Sequence, residues 1–594
     1  MRREASHHER SVIATVSLFS SLLSPLSSRR IELGTILTLH DPQTARAFYA
    51  AGYWHGDTMY ALAHRHAAAR PGAWALRDGQ RRLTWKELVQ WADALAADLH
   101  GAGLRRGSRV SVWLPIRAEA VVVLLACSRQ GYVCNPSLHQ NYAVAEVAQL
   151  LERIQSAALL AQSGYGADAD RNDVFAAARS VASLQRVYRL APPGAHAAAP
   201  DGLAAFPAPG AAAAPGSLPE PDANPDKIMY LAFTSGTTGQ PKGVLHSDNT
   251  LLANGRAMVK DWGHDEHTVI YSHSPLSHHI ATVAIAQTLV AGCELVVNDP
   301  PSGKKPLDWI VETGATYVMG VPTHAIDILA EMKRRGLRQL GRVNIFYMAG
   351  SVIPPETARA FLDLGIKPQN IYGMTENGSH QYTLPDDDVA VITATCGKAC
   401  RGYETRLWDA ENPDREAVPG AIGEIGTRGA LLMLGYFDNQ AATESSFNAS
   451  GWFMSGDLGQ FDARGNLQIV GRKKDLVIRG GYNIHPARIE NLAIKHPAVL
   501  KAAAFPVPDK RLGERVCIAV IPRDGARVEG EELLRHLDAA GLPRHDMPEY
   551  FIALEAFPLT ASGKILKREL VEWAKSGRIR PVPVRFAATV TGDS

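Results

Sequence analysis

Residues 234–243 read TSGTTGQPKG, and the preceding KIMYLAF (227–233) reads as a strand. A glycine- and hydroxyl-rich turn at the end of an apolar strand belongs at the carboxyl edge of an α/β sheet, where such folds bind ligands. The stretch could be a linker, a P-loop or another phosphate cradle. A P-loop requires Ser or Thr directly after the lysine to hold magnesium; here Lys242 follows Pro241 and precedes Gly243. A linker does not call for this composition. Gly236 and Gly239 let successive backbone N–H groups converge on an anion. Thr234, Ser235, Thr237 and Thr238 supply hydroxyls, and Lys242 supplies a charge that phosphate oxygens can pair with. The segment therefore reads as a phosphate-gripping loop.

The flanking sequence agrees with an α/β setting. TWKELVQWADALAADLHGAGL (84–104) has helical apolar spacing, RVSVWLP (109–115) reads as a strand and EAVVVLLACSRQG (119–131) as a buried helix. A chain of 594 residues exceeds one ordinary core, so two or more domains are expected. From about residue 475 the texture changes to short strands and helices, such as VCIAVIP and GEELLRHLDAAG. The expected organisation is a large α/β domain over 41–473 with mostly parallel sheets, then a small α+β domain over 474–594. Residues 191–226 form a Pro/Ala/Gly tract read as an exposed loop or linker. Residues 1–40 read as a disordered extension or misassigned start, with weak targeting as the alternative.

Composition narrows the function classes. A net charge of +2, from 62 basic and 60 acidic residues, gives no support for a nucleic-acid or anionic-membrane partner. No stretch reads as transmembrane. The six cysteines are sparse, with only Cys396 and Cys400 close together, which argues against a disulfide framework or zinc site and for a reducing, cytoplasmic setting.

Further motifs come in order: IYGMTEN (371–377), GWFMSGDLGQFDARGNL (451–467), GRKKDLVIRGGYNIHPARIE (471–490) and PLTASGKILKREL (558–570). With TSGTTGQPKG they resemble the adenylate-forming superfamily of acyl-CoA synthetases, luciferases and peptide-synthetase adenylation domains, over roughly residues 45–580. The resemblance implies that Tyr372 stacks on adenine, Thr375 contacts the α-phosphate and Glu376 helps hold Mg²⁺. It implies that Asp457 accepts hydrogen bonds from the ribose, with Arg472 reaching ribose or phosphate. Lys474 aligns with the family's hinge, and Gly480 and Gly481 with the face that admits the pantetheine arm. Lys564 matches the adenylation lysine, which bridges the substrate carboxylate and the α-phosphate. Its setting also resembles sites silenced by lysine acetylation.

SHSPLSHHIATV (272–283) carries Pro-x-x-His, so His278 matches the position beside the acyl carboxylate; His279 is extra, and two chain neighbours without a third ligand do not make a metal site. The acyl pocket is expected from this segment, from YMAGS (347–351) with Gly350 and Ser351, and from Gly373 and Met374. The implied activity is ATP- and Mg²⁺-dependent ligation of a small-molecule carboxylate to coenzyme A by a monomer or homodimer. The motif texture looks most like medium-chain fatty acid or cyclohexanecarboxylate-type ligases. The alternatives are transfer to a carrier-protein thiol and an aromatic acid substrate. A non-catalytic nucleotide-binding role is disfavoured because Lys564, Glu376 and Asp457 are all present.

Overall fold

The computed structural model describes residues 41–192, 203–214, 216–234, 241–350, 353–560 and 564–585. The extension assigned to 1–40 lies outside them. The chain forms two compact units, one of residues 1–405 with 427–453, the other of 406–426 with 454–594. This division differs from the 473/474 boundary expected from sequence texture. Residues 454–473 belong by contact to the second unit, because strand Leu467–Arg472 pairs with Asp457 to Phe461 and helix Pro486–Ala493 packs on it.

The first unit contains two largely parallel sheets. In one, strands Trp74–Arg77, Glu294–Val297, Val269–Ser272, Tyr317–Gly320, Ile345–Met348 and Lys367–Met374 run parallel, in that spatial order. Antiparallel strands close its edges: Arg82–Thr84 on one side, Gly378–Tyr382 and Lys398–Ala399 on the other. The other sheet has seven strands. It runs from Gly435–Tyr436 through Lys242–Ser247, Ile228–Thr234, Val133–Asn135, Arg109–Trp113 and Ser156–Gln162 to Arg186–Leu190, and only its first two pairings are antiparallel.

One hydrophobic cluster joins faces of both sheets through helices Trp85–Gly101, Ala118–Gln130, Asp248–Trp262 and His279–Ala291. The sequence explains the first two. Thr84 and Glu87 form a reciprocal capping box at the start of helix Trp85–Gly101, whose apolar stripe of Trp85, Leu88, Trp91, Leu95 and Leu99 is buried. Helix Ala118–Gln130 is buried on every side, as its unbroken apolar run requires, and ends on Gly131 in the left-handed region.

The described part of the Pro/Ala tract is more than a linker. Ala204 N–H donates to Val187 O at 2.9 Å, and Trp91 Nε1 donates to Pro207 O at 2.6 Å. Arg129 Nη1 donates to Pro219 O at 3.0 Å, and Phe206 packs its ring against Trp91 and Tyr188. An irregular segment without N–H donors at its prolines is thus strapped down through the carbonyls of Pro207 and Pro219 and the N–H of Ala204.

The second unit has a mixed sheet centred on Gly513–Pro522, which pairs with Val499–Asp509, Val477–Arg479 and Tyr550–Ala553. Helices Pro486–Ala493 and Gly530–Ala539 contribute to the apolar cluster on one face, and Lys567–Lys575 contributes to the other. All six cysteines are free thiols. Burial, with Cys134 beside it, pushes the Cys127 thiol well above its ordinary value. No helix among the described residues is long and apolar enough to cross a membrane.

Candidate active site

In the first unit the glycine-rich stretch bridges two antiparallel strands. Thr234 ends Ile228–Thr234 and stands opposite Lys242, which begins Lys242–Ser247. Ser235, Gly236, Thr237, Thr238 and Gly239 lie outside the described residues, as does Ser351. The loop's last stem is held by Arg153, whose Nη1 donates to Pro241 O at 2.6 Å. Lys242 Nζ sits 4.6 Å from the ring centroid of Tyr436.

The YGMTE segment lies where parallel strand Lys367–Met374 turns back into Gly378–Tyr382. The turn is tight: Met374 N–H donates to Asn377 Oδ1 at 3.0 Å, and Asn377 N–H returns to Met374 O at 3.2 Å. Gly373 is demanded by this geometry, since a Cβ there would fall 1.9 Å from Gly378 O. Tyr372 is buried, its ring edge-on to His380 at 5.3 Å. Thr375 O accepts from His246 Nε2 at 2.7 Å. A carbonyl only accepts, so this nitrogen carries the proton and Nδ1, 3.0 Å from Thr250 Oγ1, accepts. Burial pushes His246 down to about 4, so the ring is neutral. Glu376 is 8% exposed, and its Oε1 accepts from Tyr436 OH at 3.0 Å.

His278 occupies the position just before helix His279–Ala291 and lies 4.9 Å, ring to ring, from His139. Burial, with His278 beside it, pushes His139 down to about 3. His279 stacks on His246 at 5.4 Å, and its Nδ1 lies 3.4 Å from Tyr230 OH. Two stacked rings therefore run from His279 of the acyl segment through His246 to the carbonyl of Thr375. Gly350, which follows the end of the adjacent strand Ile345–Met348, has φ +93 and faces Val321.

The remaining candidates lie in the second unit. Register pairs Asp457 with Arg472, and their side chains meet at 3.0 Å. Two motifs fifteen residues apart in sequence are thus one ladder rung. Lys474 sits in the 3₁₀ turn Lys473–Asp475; burial draws its ammonium below the usual lysine range, with Arg472 and Lys564 adding repulsion. Lys564 N–H donates to Thr560 Oγ1 at 3.0 Å, and Thr560 N–H to Lys564 O at 2.7 Å. Gly480 and Gly481 form an exposed hairpin tip between Arg479 and Tyr482, with φ +56 and +88, a pairing that two L-residues with side chains rarely adopt.

Tyr436 and His246 were not singled out by sequence. Their contacts with Glu376 and Thr375 span 60 and 129 residues, and neither lies in a motif that spacing alone reveals. Glu376 fits magnesium: a hard carboxylate oxygen in a partly shielded turn. Among the described residues no group of three His, Cys, Asp or Glu could hold a metal, so the ion would take its other oxygens from phosphates and water.

Two largely parallel sheets, one of them carrying a Gly/Thr-rich hairpin, with a separate α+β unit, define an adenylate-forming enzyme, an AMP-forming acid–thiol ligase. The chain belongs to the AMP-binding enzyme family, which matches residues 63–437, while the AMP-binding enzyme C-terminal domain matches 488–564. It is 31% identical to the 2-hydroxy-7-methoxy-5-methyl-1-naphthoate–CoA ligase of Streptomyces carzinostaticus, over 89% of this chain and 95% of that one. It is 27% identical to the medium-chain fatty-acid–CoA ligase of Escherichia coli (strain K12), over 91% and 94%. The crystal structure of ATP-bound MatB from Rhodopseudomonas palustris matches with a TM-score of 0.75 at 27% identity, covering 88% of this chain and all of that one.

Proposed function

We propose that this enzyme joins a medium-chain or alicyclic carboxylic acid to coenzyme A in two half-reactions. A carboxylate oxygen attacks the α-phosphorus of ATP, pyrophosphate leaves and acyl-AMP forms. The CoA thiol, losing its proton, then attacks the acyl carbon and AMP leaves. The first step joins two anions, so positioning and charge neutralisation matter more than acid–base chemistry.

Lys242 and the loop 234–243 grip the phosphates, and Thr375 contacts the α-phosphate. Tyr372 holds the adenine, and Asp457 with Arg472 takes the ribose. His278 lies beside the acyl carboxylate, with Gly350 and Ser351 in the pocket wall, and Lys564 bridges carboxylate and α-phosphate. Glu376 is the residue to hold Mg²⁺, which when bound neutralises phosphate charge. Lys474 is the hinge about which residues from 474 onward turn, and Gly480 and Gly481 then admit the pantetheine arm. Six free cysteines suit a reducing, cytoplasmic setting.

The observation that carries this reading is the convergence of three separated motifs in one unit. Lys242 and Glu376 meet at Tyr436, and the acyl-side His279 stacks on the histidine that bonds Thr375. The acid class is supported by the segment Pro275 to Ala284 and by the apolar helix it opens, which buries Ala281, Val283, Ala284 and Ile285. A second reading, an aromatic acid bearing polar substituents, is favoured by the polar set that His279 and Thr282 of that helix form with Tyr230, with contacts of 3.3–3.4 Å.

Pyrophosphate release with ATP and Mg²⁺ tests both readings, on a panel from acetate to dodecanoate with benzoate, a hydroxybenzoate and cyclohexanecarboxylate, with and without CoA. CoA-dependent turnover on a medium or cyclic acid, lost in Lys564→Ala, is expected. Turnover confined to the aromatic acids selects the second reading. Release that stalls after one turnover despite CoA moves the thiol acceptor to a carrier protein.

A further inference from the structure

We propose that Tyr436 is a positioning residue of the adenylation half-reaction, holding the phosphate-gripping Lys242 and the carboxylate Glu376 in place with one rigid side chain. The inference rests on the roles given above to those two residues.

Tyr436 touches both with different parts of one rigid side chain. Its hydroxyl donates to Glu376 Oε1 at 3.0 Å, and its ring face carries Lys242 Nζ at 4.6 Å. The phenol has one proton, and its hydroxyl directs that proton at the Glu376 carboxylate. The ring is fixed in turn. Tyr436 is 3% exposed and packs with Val244, Met433 and Phe453. Its backbone pairs with Val244, two residues beyond Lys242, and its N–H donates to Thr443 Oγ1 at 3.0 Å. Strand Gly435–Tyr436 is only two residues long, so it serves mainly to bring this ring alongside the strand that Lys242 begins.

The chemistry explains why a tyrosine is needed. An ammonium and a carboxylate left to themselves form a charge-assisted pair. Such a pair would withdraw Lys242 from phosphate and Glu376 from a hard cation. A phenol between them offers the cation a ring face and the anion one hydroxyl, both weaker than an ion pair. Each charge is thus oriented by the same ring.

The test uses Tyr436→Phe and Tyr436→Leu in the full chain, with whichever acid of the panel turns over. Three quantities are measured: acid-dependent ATP–pyrophosphate exchange, thioester formation from supplied acyl-adenylate and CoA, and the unfolding temperature. Tyr436→Phe keeps the ring under Lys242 and loses only the hydroxyl. Its KM for ATP is expected within about twofold of wild type while its exchange kcat falls about tenfold, an effect confined to the transition state. Tyr436→Leu loses both contacts, so its KM for ATP rises as well. Thioester formation from supplied acyl-adenylate is expected unchanged in both, which a merely structural role would not allow. A wild-type exchange kcat in Tyr436→Phe overturns the inference alone. A parallel fall of both half-reactions with a lowered unfolding temperature also overturns it. Absence of exchange in the wild type with every acid overturns the underlying reading, and this inference with it.

Discussion

Acidification from pH 7.5 to pH 5 is expected to destabilise the first unit severely, because that unit buries imidazoles in their neutral form. His139 and His380 are pushed down to about 3, and His246 and His264 to about 4, from an ordinary 6.5, in each case chiefly by burial. The folded values lie below the unfolded ones. Above pH 6.5 both states are neutral and nothing is lost; below it the unfolded chain binds protons that the folded one refuses. Stability therefore falls with pH from about 6.5 until the folded values are reached. At pH 5, about 1.5 below the ordinary value, each ring costs roughly 2 kcal/mol, and four cost on the order of 8 kcal/mol. His273 and His279 act in the same direction. Asp299 opposes them: burial, with Asp78 and Glu119 nearby, raises it to about 6, so protonation near that pH relieves a strain. Its partial exposure limits the return to about 1 kcal/mol. The net loss compares with a whole stability of roughly 5–15 kcal/mol. Urea unfolding of the full chain, followed by tryptophan fluorescence at pH 7.5, 6.5, 5.5 and 5.0, checks this. The expected result is a midpoint flat above pH 6.5 that collapses by pH 5. A midpoint that holds steady or rises over that interval refutes the assignment of neutral buried rings.

Other perturbations have equally definite outcomes. Asp248→Ala leaves the Lys227 ammonium, 2% exposed and now paired at 2.6 Å, buried without its partner, and should cost about 3–5 kcal/mol in denaturant unfolding. Gly373→Ala inserts a methyl 1.9 Å from Gly378 O, so the Glu376 turn must shift and acid-dependent exchange should drop at least tenfold, read by ATP–pyrophosphate exchange. Asp457→Asn removes a carboxylate from the Arg472 rung and should raise KM for ATP with little change in thioester formation from supplied acyl-adenylate, measured by steady-state kinetics. Glu376→Gln should raise the Mg²⁺ concentration needed for half-maximal exchange, and direct Mg²⁺–ATP binding by calorimetry should weaken in parallel.

Much of this site is legible locally. The strand before the glycine-rich turn, the Thr84–Glu87 capping box and the helical runs at 85–101 and 118–130 arise from periodicity and capping chemistry. Asp457 and Arg472 sit in separate motifs, and hairpin pairing makes them neighbours. The features that sequence leaves hidden are set by packing between distant segments. Nothing in the letters around Tyr436 says that its hydroxyl reaches Glu376, or that His246 reaches across 129 residues to Thr375. The unit boundary departs from the expected 473/474 for a related reason. Composition changes near residue 475, yet strand pairing and helix packing group 454–473 with the small α+β unit.

The strap over the helix Trp85–Gly101 has a use of its own. Its anchors are Ala204, Pro207, Pro219 and Asp222, and the described residues between Pro207 and Pro219 are largely exposed. Gly210 at φ +83 has no atom within 4 Å of where a side chain would begin. Extra residues spliced there lengthen a loop already closed at both ends, and each doubling of its length costs only about 0.6 kcal/mol. A fluorophore-bearing peptide or affinity tag inserted after Gly210 would report on the first unit from within the chain, leaving both termini untouched.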